Sequence, residues 1–305
     1  MTFKKYVQLS LLFTLFWVGL FALFNYIQDD FGLFRKNSTK RRIWVQEKTS
    51  KYLMSYNYIG NNFDGILIGS SVSANLNPTF LLPKYKVYNL SMNGGNITEL
   101  KYAVDRLFEK KQIHYMILCL HPYMTKNSGL KDNQINKNEY WRSFFSVLPA
   151  HILIEKAWCL IGAPDVFHSS ENGFNDYNIF TKNFNLEKKI RASKGQTYDV
   201  FLNSIALNTL KELLSEARNK NIRIIAYYFP IYKEIFKTYS LESWLDYKSK
   251  IDAFFKGNDT VIDMNSKQYR FINENIKNYS DGHLSDQGAA AVLKEIGYQL
   301  DIAIQ

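Results

Sequence analysis

Leu9 to Ile27 is a 19-residue stretch dominated by Leu, Phe, Val and Trp, free of charge and preceded by Lys4 and Lys5. As a helix at about 1.5 Å per residue it reaches about 28 Å, close to the hydrocarbon thickness of a bilayer. A cleaved signal peptide has a shorter apolar core and a small-x-small site, and no such site follows Phe21. The pattern predicts a transmembrane anchor over residues 1–30. Residues 31–62 read as a polar, basic juxtamembrane stem, partly helical around Trp44 to Tyr56.

From residue 63 short apolar runs alternate with helical periodicity. Gly65–Ile68, Tyr85–Leu90, Tyr115–Leu120, Ile222–Phe229 and Thr260–Met264 read as strands. Ile97–Lys111, with Leu100, Ala103, Val104, Leu107 and Phe108 at helical spacing, is an amphipathic helix, as are Phe201–Asn219 and Gln287–Ile304. Strands that are apolar throughout and alternate with helices predict an α/β fold with a parallel sheet covered on both faces. Ligands of such sheets bind at the carboxyl ends of the strands, which places Ser71, His121 and Pro230 near a site. Residues 123–200 break the alternation and read as an insertion. Its apolar stretch Ser143–Gly162, interrupted by Pro149, His151, Glu155 and Lys156, fits a cap, a membrane or partner surface, or an ordinary packing helix.

Composition narrows the class. Of 305 residues, 46% are hydrophobic and 22% charged, as in a folded protein. The net charge of +10 favours anionic neighbours. The basic residues are scattered and form no nucleic-acid motif, so a membrane or an anionic glycopolymer is expected and nucleic acid is not. Cys119 lies inside an apolar run and reads as a buried, inert thiol; with Cys159 it makes no disulfide framework. His114, His151 and His168 lack ligand spacing, so no metal is expected.

Two motifs at opposite ends of the globular part carry the chemistry. Phe63-Asp-Gly-Ile-Leu-Ile-Gly-Ser-Ser-Val-Ser73 is a strand that stops at a glycine and hands over to serine. Tyr279-Ser-Asp-Gly-His-Leu-Ser-Asp-Gln-Gly288 offers an acid and a histidine two positions apart, before a helix. Ser71, His283 and Asp281 thus supply the nucleophile, base and orienting acid of covalent acyl transfer. Ser70 is the fallback nucleophile, and helix capping is the bland role open to Ser71 and Ser73.

The order strand, Gly69-Ser70-Ser71, strand, Asn93-Gly94-Gly95, then a late Asp-x-His resembles the SGNH (GDSL-like) hydrolase superfamily, over roughly residues 63–122 and 200–300. With the anchor, the chain is most similar to membrane-anchored envelope members that work beside a membrane-bound O-acyltransferase on polysaccharides or teichoic acids. The resemblance implies a flavodoxin-like three-layer sandwich with a five-stranded parallel sheet over 63–305, no cofactor, and an oxyanion hole from the amides of Ser71 and Gly94. The family's Gly-x-Asn-Asp block is replaced by Cys119-Leu-His-Pro-Tyr123, leaving Asn93, Asn96 and His121 as substitutes or second-layer residues. It also implies a serine O-acyltransferase or esterase on envelope glycopolymer, a single-pass membrane protein with its domain outside the cytoplasm. Against that topology, Arg35, Lys36, Lys40, Arg41 and Arg42 follow the span while only two lysines precede it. A plain esterase and a catalytically silent scaffold are the alternatives.

Overall fold

The apolar N-terminus forms one helix, α1 (Phe3–Gln28), exposed along its apolar length and long enough to cross a bilayer. The computed structural model describes residues 2–35, 40–110, 113–129, 135–136, 138–164, 169–178, 186–280 and 282–304. After α1 the chain turns sharply at Asp29 (φ 43°), whose carboxylate accepts the amides of Leu33 (2.7 Å), Phe34 (3.1 Å) and Arg35 (3.1 Å).

Helices α2 (Glu47–Met54) and α3 (Tyr58–Asn62) lead to β1 (Gly65–Ile68) and the short α4 (Ser71–Ala74). Then come β2 (Val87–Asn89), α5 (Ile97–Glu109) and β3 (Tyr115–Leu120). The insertion holds α6 (Glu139–Ser143), α7 (Leu148–Leu160) and α8 (Leu186–Ser193). It is followed by α9 (Ser204–Asn219), β4 (Arg223–Tyr228), α10 (Lys233–Phe236), α11 (Leu241–Asp252), β5 (Thr260–Asp263), α12 (Arg270–Asn273) and α13 (Asp286–Ile304).

The five strands form one all-parallel sheet of order β2-β1-β3-β4-β5. Every residue of β1 and β3 is buried, which explains why they read as continuous apolar runs. Helix α5 packs on α9, and α9 and α13 both pack on β4. The chain steps outward from β1 to β2, then returns past β1 to β3. Its direction therefore reverses between β1 and β3, and in an open parallel sheet a ligand crevice forms at that reversal, outside the carboxyl ends.

One expectation changes. Residues 31–62, read as a polar stem, pack into the body: Phe31, Leu33, Ile43, Val45, Leu53, Met54 and Ile59 are buried, and α2 lies against α5. The segment looked solvated because of its charges, but those of Glu47, Lys48 and Lys51 in α2 are paired inside the body. Lys48 pairs with Glu99 (2.9 Å) and Lys51 with Glu47 (3.1 Å), all four side chains being buried.

Candidate active site

β1 delivers the chain to Gly69, and Ser70 takes the N-cap position of α4 without a side-chain capping bond. A Cβ at Gly69 would lie 2.1 Å from Ser73 Oγ and 2.8 Å from Cys119 Cβ, so this turn presses against β3 with room for glycine alone. Ser73 Oγ holds the turn from below, hydrogen-bonded to Ser70 O (3.0 Å) and Ser91 Oγ (2.9 Å). Ser70 is fully buried, whereas Ser71 is half-buried and lines a cavity of about 230 Å³.

The same cavity wall includes His121 and His283. His121 follows β3 directly, so the serine and this histidine flank the point where the sheet reverses direction. The remaining wall is largely apolar, from Val72, Phe229, Ile231, Tyr232 and Tyr239, with Lys189 as a cation.

His283 stands on a loop closed by an antiparallel bridge between Tyr279 and Leu284, and its carbonyl accepts the Ser280 amide (3.0 Å). Two asparagines fasten this loop. Leu284 O accepts Nδ2 of Asn75 (2.7 Å) and Nδ2 of Asn178 (3.2 Å), and Ser280 Oγ donates to Asn178 Oδ1 (2.8 Å). Asn75 directly follows α4, so one buried bond across 209 positions ties the serine turn to the histidine loop. Asp281, the expected orienting acid, lies outside the described residues.

Burial, the nearby His283 and Lys126 push the His121 pKa down from 6.5 to about 4, so this imidazole is neutral at physiological pH. Its Nδ1 accepts the Tyr123 amide (3.2 Å), which leaves the ring proton on Nε2. His121 is therefore a neutral N–H donor in the cavity wall, edge-on to Phe229 at 5.7 Å.

The loop after β2 is held differently. Gly94 has φ 59°, within the left-handed region, and the position of a Cβ there would face Tyr123 Oη at 4.0 Å. Gly94, Asn93 and Asn96 stand outside the residues that line the cavity. The Asn96 side chain is committed elsewhere: it caps α5 through the Thr98 amide (3.0 Å) and donates to Asn127 O (2.8 Å). Below the loop lies the α2 ion pair. Lys51 Nζ donates to Ser91 O, while Glu47 Oε2 accepts the Asn93 amide (3.0 Å) and the Tyr177 hydroxyl (2.8 Å). Burial lowers the Lys51 pKa and the Glu47 carboxylate opposes that shift. The Tyr177 ring in turn lies 6.1 Å from the His283 ring.

No protein-family model matches the sequence. No curated protein matches it either. Among solved structures, the chain is similar to one provisionally described as a platelet activating factor from Streptococcus pneumonia, with 12% identity, 83% of this chain and 91% of that one covered, and a TM-score of 0.45. A likeness at that level carries no argument about activity.

A larger hollow, about 450 Å³, opens at the opposite, amino end of β4. Its two arginines are engaged: Arg218 with Asp259 (2.6 Å) and Arg223 with the Asn258 carbonyl (2.9 Å). Among the described residues no three His, Cys, Asp or Glu converge as a metal site. Cys119 is buried, with its thiol pKa pushed up to about 12 by burial.

Sequence reasoning missed Asn75, Asn178, Glu47, Lys51 and Tyr177. None lies in a recognisable motif. Only Asn75, four positions after Ser71, was close enough to attract notice.

Proposed function

We propose that this chain is a membrane-anchored serine O-acyl esterase or acyltransferase of SGNH type, acting on O-acyl groups of an envelope glycopolymer outside the cytoplasmic membrane. The observation that carries the proposal is the shared cavity: Ser71, His121 and His283, from three segments far apart in sequence, line one hollow at the reversal point of the sheet. The reading takes helices to flank both faces, as right-handed crossovers on a 2-1-3-4-5 sheet require.

Ser71 Oγ attacks the acyl carbonyl and passes its proton to His283, which Asp281 orients. The resulting oxyanion is met by the Ser71 amide and by the His121 Nε2–H, which takes the place of the family's absent asparagine. A neutral imidazole suits that role because it donates without carrying a charge of its own. His283 then returns the proton to the leaving sugar alkoxide, leaving an acyl-serine. In the second half His283 deprotonates water or a second hydroxyl, which attacks the acyl-serine and releases Ser71. A hollow of about 230 Å³ falls below the roughly 300 Å³ at which pockets begin to hold drug-sized ligands, which favours a short acyl group such as acetyl. The positive charge of the chain favours an anionic polymer, and the anchor favours a membrane-bound O-acyltransferase as donor-side partner.

Labelling by a fluorophosphonate probe and turnover of a chromogenic acetyl ester, both lost in Ser71→Ala, would support the reading. Full cellular complementation by Ser71→Ala would refute it. Product analysis with a polyol acceptor separates transfer from hydrolysis. A C-terminal phosphatase fusion that stays inactive outside the cytoplasm would overturn the topology.

A further inference from the structure

Helix α7 leaves an apolar face uncovered. Leu148, Pro149 and Ile152 turn inward, while Leu153, Ile154, Trp158, Leu160 and Ile161 face solvent, Leu160 at 88% exposure and Ile161 at 75%. Their spacing of 0, 1, 5, 7 and 8 puts them on one side of the helix. Trp141 of α6, 69% exposed, belongs to the same insertion. The polar residues of α7 are used elsewhere: His151 contacts Glu155 (3.2 Å), and Lys156 pairs with Asp30. A contiguous apolar face of this kind marks a surface that meets something apolar.

The attachment of this unit indicates what it meets. Near the end of α1, Asn25 is buried, and its Nδ2 reaches the carbonyls of Ser143 (3.1 Å), Phe144 (2.8 Å) and Ser146 (3.1 Å), immediately before α7. The Phe34 and Phe144 rings pack at 4.8 Å, and the Lys156–Asp30 pair adds a further tie two residues beyond the end of α1. Asn25 precedes the end of α1 by three residues, about 4.5 Å along the axis. The insertion is therefore fastened at the level where an apolar helix of this length would leave the hydrocarbon.

We infer that α7 is a second, non-spanning membrane contact, its apolar face lying in the headgroup–acyl boundary beside α1. A short apolar helix with tryptophan on its exposed face is suited to that layer. This rests on the reading of α1 as a membrane span. With two points of contact, the body is held at a fixed height and tilt above the bilayer rather than swinging on a single tether.

The test uses the full chain in phosphatidylglycerol–phosphatidylcholine vesicles, carrying an environment-sensitive fluorophore on one introduced cysteine at a time in a Cys159→Ser background. The sites are Leu160→Cys on α7, Leu15→Cys within α1 and Lys211→Cys on the exposed side of α9. Expected is a blue shift at Leu160→Cys, strongest quenching by shallow nitroxide lipids, and iodide quenching several-fold weaker than at Lys211→Cys. Leu15→Cys should respond to deep nitroxide lipids. If Leu160→Cys is as open to iodide as Lys211→Cys while Leu15→Cys is shielded, the inference fails and the anchor stands. If all three sites are in water, the anchor reading fails and the inference falls with it. Shielding of Leu160→Cys without nitroxide quenching, together with disulfide-linked dimers, would assign the face to a second copy of the chain and overturn the inference.

Discussion

Replacing Glu47 by Ala should damage both stability and activity, although α2 precedes every expected catalytic motif. Glu47 and Lys51 are 7% and 0% exposed and 3.1 Å apart. The substitution leaves the Lys51 ammonium with the Ser91 carbonyl and removes the acceptor of the Asn93 amide and the Tyr177 hydroxyl. Removing one member of a buried ion pair costs about 3–5 kcal/mol. Each donor left unsatisfied adds about 1–3 kcal/mol, less than additively within one network. A loss of about 5 kcal/mol corresponds to a fall of about 10–15 °C in Tm for a body of this size.

The pH dependence has a definite sign. Burial already lowers the Lys51 pKa, and loss of Glu47 lowers it further. The folded variant then gives up the Lys51 proton at a lower pH than the unfolded chain does, so stability rises with pH across the interval below about 10 that separates the two. The deficit of Glu47→Ala should be smaller at pH 9 than at pH 7. Adding Lys51→Met should recover most of the stability, because an apolar side chain replaces a stranded charge. It should not recover esterase activity, since the loop still lacks its acceptor. Thermal and urea unfolding of the reconstituted full chain, with ester turnover alongside, measure all three. A Glu47→Ala loss below about 1 kcal/mol, unchanged across pH, would refute the buried-pair argument.

Ser71→Ala and His283→Gln should each lower ester turnover by at least about 10³-fold while the circular dichroism spectrum is unchanged. His121 has a folded pKa of about 4 against 6.5 unfolded, so its contribution is complete above about pH 6.5 and is lost as pH falls toward 4. His121→Asn should remove roughly 2–3 kcal/mol of that acid sensitivity in urea titrations at pH 4.5 and 7. His121→Phe, which keeps a ring but removes its N–H donor, should lower kcat with little change in KM if the imidazole stabilises the oxyanion. Asn75→Ala should destabilise by about 1–3 kcal/mol and reduce kcat, because the bond from α4 to Leu284 O is buried. Gly69→Ala should cost at least about 1–3 kcal/mol by overpacking against Ser73 and Cys119.

The sheet was legible because its code is local. β1 and β3, buried on both faces, must be apolar throughout, and all five strand positions were recognisable, although β2 shortened from 85–90 to Val87–Asn89 and β5 is partly exposed. The Ser71 and His283 segments could be picked out because each joins a chemical group to a strand or helix end. What brings them to one cavity could not be read. The Asn75–Leu284 bond joins residues 209 positions apart, and asparagine is so common in this chain that neither partner carries a pattern. The buried charges of α2 misled for a related reason: Glu47, Lys48 and Lys51 look solvated until their partners are known. Asn96, considered as an oxyanion donor, belongs to an Asn-x-x-Glu capping box, a signal present in the sequence but overshadowed by the adjacent glycines.

The insertion has a consequence for how the molecule keeps to itself. β2 is an outer strand, and its unpaired side would be a template on which other chains could add. There the Asn89 amide donates to Asn172 O (2.7 Å), and nearby the Asn175 amide donates to Ala74 O (3.1 Å), both supplied by the insertion. These residues act as a selvedge on the sheet. Trimming 123–200 to obtain a minimal domain would unhem it, and the shortened chain should self-associate before it could be assayed.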